Sequence, residues 1–251
     1  MNWKTAVGFA LSAFLIWWTL HDTDLGAVWA AIRGADFLLL TASVAVATTG
    51  FFWRALRWKV LLHPVEPHTR LGDRWASVNI GFMANNLLPA RVGEFARAYS
   101  FARLDTRVSV SAAFGSLVVE RVLDALVLAG ILVGTVLMPS FPDVELGARF
   151  MAILRSAVVH LGGVGVVLVL LLVFPTAVVR ITEAVARRLL PTRFARPVIE
   201  GLEAFLQALG VVRSPVLLMQ ALAWSVFFWL WHGVSLWLGM LAFDIDAGWV
   251  A

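Results

Sequence analysis

Apolar residues run almost unbroken through five stretches of this chain, and polar residues gather between them. The stretches are 3–20, 37–53, 108–137, 150–174 and 214–243. A bilayer core about 30 Å thick needs roughly 20 apolar residues of helix, so each reads as a spanning segment. The first stretch resembles a secretory leader, but no small-x-small cleavage site follows Leu20, so it is expected to stay as a span. Two further stretches break the pattern. Residues 75–88 are moderately apolar but carry Asn79, Asn85 and Asn86, and Pro89 follows at once. A helix over these 14 residues reaches about 21 Å, short of the core. Residues 90–103 then carry Arg91, Glu94, Arg97 and Arg103. Neither half spans alone, so 73–103 is expected to be a re-entrant pair of half-helices that enters and leaves on one side. Residues 176–213 are amphipathic. Ile199, Leu202, Phe205, Leu206 and Leu209 form a stripe opposite Glu200, Glu203 and Gln207, as expected of an interfacial segment. The fold class is therefore all-α: a polytopic transmembrane helical bundle forming one domain over residues 1–251.

Composition agrees. Of 251 residues 61% are hydrophobic and 14% charged, with a mean hydropathy of +0.86. Soluble domains carry about 25% charged residues. With no cysteine, disulfides and thiolate metal sites are excluded. The net charge of +4 reads as loop bias, and nucleic acid is not an expected partner. Placing the N-terminus in the cytoplasm, with 73–103 re-entrant, puts 16 Lys and Arg inside and 3 outside. A single crossing at 73–103 would turn the basic 180–213 region outward, against the positive-inside bias. The expected location is the inner cell membrane, multi-pass, with a cytoplasmic N-terminus.

The run 108–137 holds Glu120, Arg121 and Asp124 within its apolar centre. Each ionisable side chain at that depth costs roughly 2.5–3.5 kcal/mol to insert. If Ser109 lies near the interface, Glu120 is about 16 Å deep, close to the midplane. Glu120 and Asp124 share a helix face, and Arg91, Glu94 and Arg97 share another in the preceding segment. Carboxylates of one segment can pair with Arg91 or Arg97 of the other, and Glu94 with either arginine. Two explanations stand side by side. One is a polar, headgroup-sized pocket, in which broken half-helices and the amides of Asn85 and Asn86 meet a polar substrate. The other is a structural ion network that fixes helix registry.

Other candidates carry less. His63, Glu66 and His68 are interrupted by Pro64 and Pro67, so no metal site is expected. His160 and His232 sit alone in apolar runs, and Asp244 and Asp246 read as solvated loop charges. No phosphate-cradling glycine motif, nucleophile elbow or metalloprotease helix is present, so neither an enzyme activity nor a cofactor is expected.

The run from Asn85 to Arg97 fits the pattern N-N-x-x-P-x-R-x-G-E-x-x-R. Glu120, Arg121 and Asp124 fit E-R-x-x-D; Arg54, Arg57 and Trp58 fit R-x-x-R-W. In this order they resemble the flippase-like membrane family related to the transmembrane domain of lysylphosphatidylglycerol synthases. The resemblance implies a protein that moves, or helps to move, a phospholipid-type or aminoacylated headgroup. Arg91, Arg97 and Arg121 would hold the phosphate, and Asn85 and Asn86 would read polar headgroup atoms. Glu94, Glu120 and Asp124 would balance the arginines or meet a cationic group. It also implies further C-terminal spans and, in the synthases, a transferase domain, which this sequence does not show. A second expectation, of another class, is a non-transporting accessory subunit of a larger membrane complex, with other membrane subunits or a homo-oligomer as partners.

Overall fold

In a computed structural model, described over residues 3–88, 92–136, 138 and 148–245, the protein is a helical membrane bundle with no strand among those residues. The helices are α1 (Trp3–Leu20), α2 (Leu25–Gly34), α3 (Phe37–Leu62), α4 (Leu71–Leu87), α5 (Gly93–Leu104), α6 (Val110–Val136), α7 (Ala148–Val173), α8 (Pro175–Leu189), α9 (Thr192–Ala208) and α10 (Pro215–Ala242). A 3-10 turn, Leu209–Arg213, links the last two. Among the described residues α3 and α10 are each long and apolar enough to cross a membrane. The 27 residues of α6 reach about 40 Å, but its central charges lie in every 18-residue stretch of it.

Helix α3 differs from the sequence expectation in length. It does not stop at Trp53 but continues to Leu62. No glycine or proline occurs between Trp53 and Pro64, so nothing in the backbone ends the helix there. Arg54 and Arg57, which lie beyond the expected end of the span, are buried helix residues.

The chain divides into two compact units. One comprises residues 1–44 with 235–249 and 251. Here Asp24 caps α2, accepting from Gly26 N at 2.9 Å and Ala27 N at 3.0 Å. Asp36 caps α3 through Leu38 N and Leu39 N. Ser43 Oγ donates to Ser235 O at 2.7 Å, and Ser235 Oγ donates back to Ser43 O at 3.0 Å.

The second unit, residues 45–234 with 250, holds the main core: Trp58, Leu61, Leu62, Val78, Phe101, Val108 and Leu209 are all buried. Helix α9 packs on α6, where a Cβ on Gly115 would lie 2.9 Å from Phe205 O. The α9 stripe is spent on this contact: Leu206 and Leu209 are buried, and Leu202 and Phe205 pack against the core. On α8, by contrast, Ile181, Val185 and Leu189 are exposed.

Helices α4 and α5, about 25 Å and 18 Å long, form a hairpin. Their crossing is set by two glycines. A Cβ on Gly93 would lie 2.2 Å from Gly81 O, and one on Gly81 would lie 2.9 Å from Gly93 O. Asn85 Oδ1 accepts from Gly93 N at 2.7 Å and closes the turn.

The α5–α6 turn is held by Asp105, whose carboxylate accepts from Arg107 Nε at 2.9 Å and Nη2 at 2.7 Å. These bonds hold the Asp105 carboxyl below its ordinary value of 3.8, against the opposing effect of burial. The stabilisation is therefore complete above that value and is lost as pH falls through the lower folded one. Amide protection in the turn, taken against the intrinsic exchange rate at each pH, should fall on acidification below about pH 4. Asp105→Asn should show fast exchange at every pH; an unchanged acid response in that variant would assign the effect elsewhere.

Candidate functional site: a buried arginine–carboxylate network

The second unit buries five charged side chains against one another. Arg54 and Arg57 lie three apart on α3, Arg97 is on α5, and Glu120 and Asp124 lie four apart on α6. These spacings put each pair on one helix face. Each of the five is at most 6% exposed.

Glu120 is the hub. Its Oε1 meets Arg54 Nη1 at 3.1 Å, Arg57 Nη2 at 3.0 Å and Arg97 Nη1 at 3.0 Å. Its Oε2 accepts from Arg97 Nη2 at 3.1 Å, so the Arg97 fork is bidentate. Asp124 pairs with Arg57 through both oxygens, Oδ2 accepting from Nη2 at 3.1 Å. Trp229 Nε1 donates to Asp124 Oδ1 at 3.2 Å, and Arg57 Nη1 donates to Ser225 Oγ at 3.1 Å, both partners coming from α10.

Aromatic faces cover the guanidiniums. Arg97 lies 4.0 Å over Trp58, and Arg54 lies 4.5 Å over Phe228 and 5.1 Å over Phe82. Arg57 lies 4.9 Å from the Phe228 ring centre, so that ring serves two cations. Such stacking suits arginine, which is weakly hydrated and planar. Trp58 is itself fixed by Nε1 donating to Ser116 Oγ at 2.8 Å.

Charge does not balance in this network. Three guanidiniums face two carboxylates, which leaves one buried positive charge. Buried N–H groups at Arg57 Nε and Arg97 Nε also have no hydrogen-bond partner among the described residues. Buried donors are almost always paired, so these two are exceptions that call for an acceptor. The arrangement concentrates positive charge on the α3, α5 and α6 side chains of the network. Of its hydroxyls, Ser116 donates to Ala113 O and Ser225 accepts from Arg57.

The residues named from sequence separate into groups. Arg97, Glu120 and Asp124 come together in the network. Glu94 pairs with Arg121, not with Arg97, and both are partly exposed. Asn85 serves the hairpin turn, and Asn86 Nδ2 bonds to Phe82 O of its own helix. Arg91 lies outside the described residues. Sequence reasoning assigned no role in the network to Arg54 and Arg57, Trp229 or Ser225. The signal for the two arginines was present: an i, i+3 pair in a segment with no helix breaker before Pro64. Glu66, by contrast, turns back to accept from His68 N at 2.9 Å and pairs with Arg107. Among the described residues, no group of three or more His, Asp or Glu side chains is placed to hold a metal ion.

Comparison with known proteins supplies a context for this geometry. Residues 5–251 match the family described as the lysylphosphatidylglycerol synthase TM region. A curated relative, the glycosyltransferase AglD of Haloferax volcanii, is 30% identical over 115 residues, or 46% of this chain and 18% of that protein. The match thus spans less than a fifth of the relative's length. No solved structure matches the chain.

Proposed function

The chain belongs to the lysylphosphatidylglycerol synthase TM region family, and on that premise we propose that it binds a phospholipid-type headgroup beside the α4–α5 hairpin and moves it, or helps to move it, across the membrane. The observation that carries this reading is the buried excess of one guanidinium over the carboxylates. A phosphate is the anion an arginine fork matches best, and in a membrane protein the phosphate at hand belongs to a lipid. A charged headgroup crosses hydrocarbon only where polar groups replace its hydration.

In this reading Arg91 and Arg121 are the phosphate-side cations, and Arg97, bound to Glu120 through both terminal nitrogens, adds positive charge from within the network. Glu120 and Asp124 keep the arginines charged and oriented, and Glu94 balances Arg121. Asn85 shapes the hairpin, and Asn86 remains exposed for polar headgroup atoms. The hairpin enters from the cytoplasmic side of the cell membrane and returns to it. The chain acts as a carrier and not as an enzyme. The name of the Haloferax relative favours, as a second substrate class, a lipid carrying a sugar phosphate, which presents the same anion.

The test uses purified protein in vesicles that contain acyl-labelled phosphatidylglycerol. Movement of label between leaflets should exceed that of protein-free vesicles. Arg97→Lys keeps the charge but loses the fork, and should slow movement about tenfold. Well-folded protein that neither binds nor moves the label would favour the accessory-subunit alternative.

A further inference from the structure

The charged residues around the hairpin differ sharply in how far they are already committed. Within the network, Arg57 and Arg97 each spend both terminal nitrogens on carboxylates. The Glu94–Arg121 pair, one helix face away, is built differently. Among the described residues it is a single contact, from Arg121 Nη2 to Glu94 Oε1. The Arg121 side chain is 48% exposed and that of Glu94 25% exposed. Among the described residues Arg121 thus spends one of its five N–H donors, and nearly half of its side chain is exposed. On the same hairpin, Leu87, Leu88, Phe95 and Tyr99 are all more than half exposed. Phe95 is steadied by stacking on Phe114, with centroids 4.7 Å apart.

We propose that Glu94–Arg121 is an ion-exchange site for the lipid headgroup, a refinement that rests on the headgroup-binding reading above. The lipid phosphate displaces the Glu94 carboxylate from Arg121 and takes the fork bidentately. The acyl chains lie on Leu87, Leu88, Phe95 and Tyr99. Glu94, once released, receives a cationic group if the headgroup carries one. The exchange keeps Arg121 paired throughout, and the released Glu94 carboxylate, its side chain 25% exposed, is left to solvent where the headgroup carries no cation. The Glu120 hub keeps α5 and α6 in place around this pair, and its surplus positive charge favours an anion nearby. Partly exposed residues with one replaceable contact can make such an exchange, whereas bidentate pairs at most 6% exposed would first have to be uncovered.

Two variants break the same ion pair with opposite consequences. Glu94→Gln removes the internal competitor and should tighten binding of acyl-labelled phosphatidylglycerol about fivefold. Arg121→Gln removes the docking fork and should weaken it about tenfold or more. Thermal unfolding should show both variants folded, with similar small losses. Opposite shifts in affinity support the exchange site. Equal shifts in one direction would show that the pair only ties α5 to α6, and would overturn the proposal while leaving headgroup binding intact. A folded wild-type protein that binds no label would overturn both.

Discussion

Glu120→Gln is expected to be the most damaging single substitution in this molecule. The change is nearly isosteric, so packing is preserved and the effect isolates charge. In the native protein Glu120 meets Arg54, Arg57 and Arg97 at 3.0–3.1 Å while 1% exposed. Removing its charge leaves three buried guanidiniums facing Asp124 alone. The glutamine amide also turns an N–H group toward donors. Breaking a buried ion pair from one side costs about 3–5 kcal/mol. For a chain of this size that corresponds to a fall in Tm on the order of 10 °C. Thermal unfolding in a mild detergent gives the measurement. Adding Arg97→Gln to the same chain should recover part of the loss, because it removes the cation most tightly bound to Glu120. A double-mutant cycle reads that coupling directly. If Glu120→Gln unfolds within about 2 °C of wild type, the network contributes little and its charges are not held as the structure shows.

Gly93→Ala should produce the second-largest effect, through sterics alone. The new methyl would lie 2.2 Å from Gly81 O, 2.4 Å from Asn85 Cγ and 2.5 Å from Asn85 Nδ2. The first of these is backbone and cannot swing aside, so α4 and α5 must separate. Over-packing of this kind costs about 1–3 kcal/mol, occasionally more. The functional loss should exceed the loss of stability, because Arg97 stands one turn beyond Gly93 and its fork must reach Glu120. Gly72→Ala is the internal control. Nothing lies within 4 Å of a Cβ there, and alanine favours helix over glycine by up to about 1 kcal/mol. The two substitutions should therefore move Tm in opposite directions. Equal behaviour would mean that the hairpin is not closed at Gly81 and Gly93.

Much of this site is legible in the sequence. The insertion cost of Glu120, Arg121 and Asp124 demands partners, and the hairpin arginines are the nearest candidates along the chain. Arg97 meets Glu120 as that cost requires. The pairing of Glu94 is not legible. From spacing alone Arg91 and Arg97 are equally good partners for it, yet Arg121 takes the role. Helical periodicity relates residues within one helix and says nothing of the rotation of a neighbour. Asn85 illustrates the same limit. Its amide suits a ligand or a turn equally well, and the close approach of Gly81 to Gly93 puts it in the turn.

The full membership of the network escapes the sequence for a different reason. Arg54 and Arg57 are visible there, but their charge ends the apolar segment at Trp53 only if each is assumed to need water. A guanidinium paired with carboxylate and covered by an aromatic ring no longer demands water. Whether a charge ends a membrane helix thus depends on its partners, which sit 66 and 67 residues away.

The linear pattern by itself determined that this protein is helical and membrane-bound, and that buried charge gathers at its centre. Those properties follow from transfer energies and local periodicity, which are sums over neighbouring residues. Only the tertiary structure decided which arginine meets which carboxylate, that one positive charge is left over, and that Glu94–Arg121 stays partly exposed. These depend on helix rotation and on the Gly81–Gly93 crossing, set by packing between segments distant in sequence.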